Sequence, residues 1–134
     1  MISLEEVRQV VTREFKLAHE AAYPTMLVNY PNFLVVDIEH QVDPFINISI
    51  DFGDTSRAAM GEREIMGQGT LVVIFYYKEG GGTSGAYSYT DFLNTALSMQ
   101  ELNSLYYSAA STIPIQTFPG WKGIMNRLAF EVVG

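Results

Sequence analysis

Gly61-Glu-Arg-Glu-Ile-Met-Gly-Gln-Gly-Thr-Leu-Val-Val-Ile-Phe-Tyr-Tyr-Lys-Glu-Gly-Gly-Gly-Thr-Ser-Gly85 begins polar and alternating, turns into a solid β-branched and aromatic run, and ends in glycines. This pattern predicts a strand whose far end is deeply buried and whose near end meets solvent or a partner. Unbroken from Glu62 to Tyr77, such a strand would span roughly 50 Å at about 3.3 Å per residue. A folded domain of this length has a radius of gyration of only about 14 Å. Either Gly67 and Gly69 break the strand with a bend or bulge, or its polar end projects beyond the body. A projecting β-arm reaches a neighbour, which points to an assembly protein.

Upstream, Ile46, Ile48, Ile50 and Phe52 alternate with Asn47, Ser49 and Asp51, the pattern of a half-buried strand. The small polar stretch Asp54–Gly61 then joins this strand to the long one, predicting a hairpin built from 45–54 and 61–70. At the N-terminus Ser3-Leu4-Glu5-Glu6 is a capping box. Val7, Val10, Val11, Phe15, Ala18, Ala21 and Ala22 follow at helical spacing until Pro24 stops the run. Arg8, Arg13, Lys16 and Glu20 take the opposite face, and His19 is placed on the exposed side. Short strands are expected over Thr25–Tyr30 and Phe33–Ile38. Glu79–Gly85 reads as a flexible loop, and Tyr89, Phe92, Leu93, Ala96 and Leu97 as a second helix ending near Met99. One or two strands broken near Pro114 fill Ser104–Gln116, Pro119-Gly120 is a turn, and Ile124, Leu128, Phe130 and Val132 mark the last strand, with Asn126 interrupting its apolar side. The whole predicts one α+β domain over 1–134: an antiparallel or mixed β-sheet, two helices packed on one face, and a protruding β-hairpin.

The 134 residues carry 48% hydrophobic side chains, enough for a single core. Only 17% are charged, against a usual share of about 25%, so the surface suits being covered by other copies. Net charge is −7, and the eight basic residues are scattered, which argues against nucleic-acid affinity by counterion release. The chain has no cysteine, hence no disulfide framework and no thiolate metal site. Met1-Ile-Ser-Leu-Glu-Glu lacks the basic and apolar regions of a secretory leader, and eighteen apolar residues never run together. A protein of the cytosol or of a soluble particle, with no membrane partner, is expected.

Chemistry-bearing patterns are weak throughout. The glycines of 79–85 lack the Gly-Lys-Ser/Thr ending and the GxGxxG spacing of phosphate cradles. Asp51-Phe52-Gly53 spells a kinase metal triplet in a chain with no catalytic-loop signature. Asp37, Glu39, His40 and Asp43 are the only local group of possible ligands, and their spacing suits solvated loop charges better than a hard-cation loop. No serine sits in a nucleophile elbow. A carboxylate pair brought together in three dimensions stays open. No enzyme activity, cofactor or metal is expected. Tyr76-Tyr77, Tyr87/Tyr89 and Tyr106-Tyr107 are aromatic pairs of the kind enriched at interfaces, though ordinary strand and helix packing accounts for most such residues. Near the ends of the predicted hairpin, Phe45, Arg57, Met60, Arg63, Met66 and Gln68 are the candidate oligomer-interface residues.

Taken in order, the N-terminal helix, the short strand before Pro31, Gly61-Glu-Arg-Glu-Ile-Met-Gly-Gln-Gly with Leu71-Val-Val-Ile-Phe-Tyr-Tyr, the glycine-rich 79–85, Pro114, and Gly120-Trp121 leading into the last strand resemble the tail terminator (tail completion) proteins of long-tailed bacteriophages. The likeness runs over nearly the whole chain and rests on the order and texture of segments. It implies a virion protein, assembled in the host cytoplasm, whose homo-hexameric ring caps the head-proximal end of the tail tube. Such a ring ends tube polymerisation and meets the head-completion or connector proteins, while DNA passes through its lumen without specific binding. Another head–tail connector or neck-ring protein is the near alternative, and a small acidic ligand-binding domain or enzyme the distant one. Six copies would carry 6 × (−7) = −42 charges, consistent with a lumen that repels DNA.

Overall fold

Ser3 starts the first helix as the capping box predicts: its side-chain oxygen accepts the Glu6 backbone N–H at 3.1 Å, satisfying one of the orphan donors at the helix N-terminus. The computed structural model describes residues 3–30, 40–52, 65–80, 84–97, 101–102, 105–115 and 117–133. Helix α1 spans Leu4–Ala22 and helix α2 Ser84–Ala96. Seven strands form one sheet: β1 Val28–Asn29, β2 Phe45–Asp51, β3 Ile65–Lys78, β4 Glu101–Leu102, β5 Leu105–Tyr107, β6 Ser111–Ile115 and β7 Trp121–Val133. Their order is β1-β2-β3-β7-β5-β4, with β6 also paired to β7. β1 runs parallel to β2 and the remaining pairs are antiparallel, so the sheet is mixed and the fold α+β.

The long strand is bulged and partnered. Between Ile65 and Gly67 its register against β7 shifts, the irregularity that glycine at 67 admits. From Gly67 to Lys78 it pairs residue for residue with Val132 back to Trp121. On its other side Thr70–Tyr76 pair with Asp51–Phe45. Down to Ile65, therefore, the described strand runs against β7 instead of projecting as a free two-stranded finger. Residues 53–64, the tip of the expected hairpin, lie outside the described residues, as do the strand expected over Phe33–Ile38 and Arg57, Met60 and Arg63.

Alternation sorts the central strands into two faces. Ile46 and Ile48 of β2, Leu71, Val73, Phe75 and Tyr77 of β3, and Ile124, Leu128, Phe130 and Val132 of β7 point one way. Val7, Val11 and Phe15 of α1 and Ala86, Tyr89 and Leu93 of α2 cover them, and together they form the main core. Gly67 lets α1 lie close on the sheet, and Gly69 makes room for the two neighbouring strands. A Cβ at Gly67 would lie 2.5 Å from Val7 Cγ2, and one at Gly69 would lie 2.8 Å from the Asp51 carbonyl oxygen and 2.9 Å from the Phe130 ring.

The apolar stripe of α1 differs from the expected one. It runs Val7, Val11, Phe15, His19, while Ala21 and Ala22 are exposed. His19, placed on the exposed side by the sequence, is 2% exposed and stacks between Phe15 and Tyr23. Its Nδ1 accepts the Tyr89 hydroxyl at 2.7 Å, and its Nε2–H donates to the Met26 carbonyl at 3.1 Å, joining α1 to α2 and to the turn after α1. A neutral imidazole satisfies both partners, and burial lowers the His19 pKa from its usual 6.5.

Helix α2 begins five residues before the expected first anchor, Tyr89, so Ser84 and Gly85 belong to it and not to the loop. Pro114 does not break the C-terminal strand region either. It sits inside β6 opposite Ile124, a tolerable place because β6 is an edge strand, and the break falls at Ser108–Ala110. Asn126 has a partner on each side: Thr90 of α2 lies at 3.2 Å and Thr112 of β6 at 2.7 Å from its side-chain oxygen. This buried polar link pins α2 and β6 to the middle of β7, which is why a polar residue stands in an otherwise apolar row.

Candidate assembly surface

No described helix packs on the other sheet face, and its composition changes along its length. At one end Phe45, Tyr76, Trp121 and Phe118 make an aromatic corner. Phe45 stacks on Tyr76 with ring centroids 4.9 Å apart, Tyr76 on Phe118 at 5.3 Å, and Trp121 meets Phe45 edge-on at 5.1 Å. The Lys78 ammonium sits 4.7 Å above the Trp121 ring, a cation–π contact. The turn at 117–120, with Gly120 at φ +84°, folds Phe118 over the corner. Gly123 makes room for it: a Cβ there would meet Thr117, Ile115 and Ile74 at 2.9 to 3.3 Å.

In the middle of this face lie Ile74, Met125, Ile113 and Ile115, brought side by side because β6 pairs with β7 and β7 with β3. Ile113 is 48% exposed, and the other three are half-buried. At the far end the face turns polar. Asp51, Gln68, Thr70, Tyr106, Ser108 and Glu131 line a cleft of about 570 Å³ with Phe52 and Phe130. Its two carboxylates come from β2 and β7, with Thr70 and Gln68 of β3 between them. Among the described residues, no group of three or more His, Asp or Glu is placed to hold a metal ion.

Of the six interface candidates, the structure moves one inside. Phe45 is 1% exposed, held between Tyr76 and Trp121, and its ring is not presented to a neighbour. The sequence marked it because it stands near the end of the predicted hairpin, and the structure encloses it in an aromatic cluster on this face. Gln68 is half-buried at the rim of the cleft, opposite Glu131 in the ladder. Met66 lies on β3 beside the bulge, with its side chain outside what is described. Phe45 and Gln68 lie at opposite ends of this sheet face. The residues that do converge are Ile74, Ile113, Ile115 and Met125, and a readable signal marked two of them: residues 102–121 contain no Asp, Glu, Lys or Arg.

No described helix is long and apolar enough to cross a membrane. No family model matches the chain, and no curated protein matches it. Among solved structures, a chain whose name describes no function superposes over 98% of this chain and 96% of its own length, with a TM-score of 0.66 at 16% identity. The α+β fold is thus one already seen in a solved protein.

Proposed function

We propose that this protein is a structural component of a phage virion, a tail terminator whose ring, a hexamer in this reading, caps the head-proximal end of the tail tube, stops its growth and joins it to the head or neck. The observation that carries the reading is the unequal treatment of the two sheet faces. Among the described residues both helices lie on one face, and the other is left with an apolar strip in which Ile113 stands 48% exposed. A closed ring needs such a surface, because each copy must bury a patch against a different patch of the next. The order of segments that resembles tail terminators supports the same conclusion, and a head–tail connector ring is its near variant. With −7 per subunit, the lumen repels DNA passing through it.

The test is assembly. The full chain, alone and with a tail tube protein of a long-tailed phage, is measured by size-exclusion chromatography with light scattering and by electron microscopy. Rings of about six copies, seated at tube ends and fixing tube length, are expected. Free polymerisation of tubes in its presence, with no ring at their ends, would defeat the reading. A channel lined by Arg57, Arg63 or Lys122 would defeat the repelling lumen alone. The cleft with Asp51 and Glu131 favours a second reading, an acidic ligand-binding domain. A saturable thermal shift with a cationic ligand, abolished in Asp51→Asn, would support that reading instead.

A further inference from the structure

We propose that His19 is an acid-sensitive latch: once protonated it lets go of Tyr89 and Met26, and the corner made by the last turn of α1, the 23–27 turn and β1 opens while the rest of the sheet stays folded. The hydrogen-bond geometry carries the inference. The Met26 carbonyl only accepts, so Nε2 bears the proton of the neutral ring. Nδ1 is then an acceptor, and the Tyr89 hydroxyl donates to it. A second proton on the ring puts a donor where that lone pair was. The Tyr89 hydroxyl must then turn its own hydrogen away, and no other described group hydrogen bonds it. Its ring packs against those of Tyr23, Phe75 and Phe92, which supply no acceptor. A buried charge and a buried donor without an acceptor arise in one step.

Little around the ring relieves that state. On α1, Glu20 favours the imidazolium but is exposed, as is Lys16 one turn back. Helix α2 carries a single charge, Asp91, also exposed, and the 23–27 turn and β1 carry none. Tyr89 and Tyr30 are held neutral by burial, which raises both phenols. Phe15 and Tyr23 present only their ring faces. Attachment elsewhere decides which part moves. Val7, Val11 and Phe15 hold the earlier turns of α1 in the core, and the Thr90–Asn126–Thr112 link holds α2 to the middle of β7. By contrast, β1 has two residues and, among the described residues, pairs with β2 alone. The Ile46 N–H to the Leu27 carbonyl, at 3.0 Å, is the bond beside it. The corner therefore detaches with few bonds broken.

The experiment is hydrogen exchange of the full chain, read amide by amide by NMR from above to below the unfolded histidine value of 6.5 and corrected for the intrinsic pH dependence of exchange. The Tyr23, Met26 and Ile46 amides report the corner, since each donates a bond that opening breaks. Their protection should fall by about tenfold per pH unit below 6.5 until the folded ring itself titrates. Amides of the β3–β7 ladder should hold theirs. Imidazole nitrogen shifts measured alongside should show the Nε2–H tautomer at neutral pH and a titration in step with the loss. His19→Gln keeps a donor and an acceptor, has no titrating proton and leaves His40 in place. Its corner amides should match wild type at neutral pH and lose the slope. Should that variant fail to fold, the coupling of ring titration to corner amides in the wild type still decides. An equal slope in His19→Gln, a loss spread evenly through the β3–β7 ladder, or a ring that titrates with the corner amides unmoved would each overturn the latch.

Discussion

The two faces of the sheet are built from the same strands, yet they settle their apolar surface differently. The helix-covered face buries Ile46, Leu71, Phe75, Leu128 and Phe130 under α1 and α2, and Gly67 lets the first helix lie close. The open face closes only its aromatic corner and leaves Ile113 half exposed, with Met125 and Ile74 partly so. The first face spends its hydrophobicity on folding. The second leaves part of its apolar surface to solvent. Stability and assembly should therefore respond to different residues, even where these lie on adjacent strands.

The comparison breaks most visibly on the covered face. Phe15→Ala removes a ring that is 1% exposed beneath the sheet and should cost about 3–5 kcal/mol in urea denaturation. A smaller loss would mean that α1 is less firmly seated than its burial implies. Gly67→Ala tests the close approach itself. The added methyl meets Val7 at 2.5 Å, and overpacking of this kind costs about 1–3 kcal/mol. Combination with Val7→Ala should recover part of the loss, and strict additivity of the two changes would show that they do not share this space.

Acid offers a subtler probe of the covered face. His19 has its pKa lowered in the folded protein by burial, so the unfolded chain takes up the proton first. Its contribution is complete above the unfolded value of 6.5 and is lost as pH falls from there through the lower folded value. Melting temperature should decline over that window, and His19→Gln should flatten the decline. An equal slope in the variant would place the acid sensitivity elsewhere. Smallest of all is the expected effect of Ile113→Ala on monomer stability, within about 0.5 kcal/mol. A large loss there would make the open face part of the folding core and erase the contrast.

Much of this was legible in the residues, where local pattern and tertiary context agree. Ser3 and Glu6 announced α1, the β2 alternation held at Ile46 and Ile48, and the order of helices and strands gave the α+β class. The misses have a common cause: a side chain whose surroundings come from distant segments. His19 looks polar on a helical wheel, but Tyr89, seventy positions on, and Met26 give its nitrogens partners and allow burial. Phe45, near the end of the predicted hairpin, looks hard to hide until β3 and β7 bring Tyr76 and Trp121 against it. Pro114 looks like a break until β6 proves to be an edge. The candidate site was the least visible part, because Ile74, Ile113 and Met125 come from three strands and only the ladder makes them neighbours.

The β3–β7 ladder has a kinetic consequence. Its paired residues lie between 43 and 68 positions apart in the chain (121 − 78 and 133 − 65), so the centre of the sheet forms only after long loops have closed. Proteins dominated by such distant pairings fold in milliseconds to seconds, far slower than helical bundles. Until β7 docks, both faces of the sheet are incomplete and the uncharged 102–121 segment has no strand beside it. Nascent copies crowded together in that interval are exposed to mispairing along this segment, so the yield of folded protein depends on how quickly the ladder zips relative to how often two chains meet.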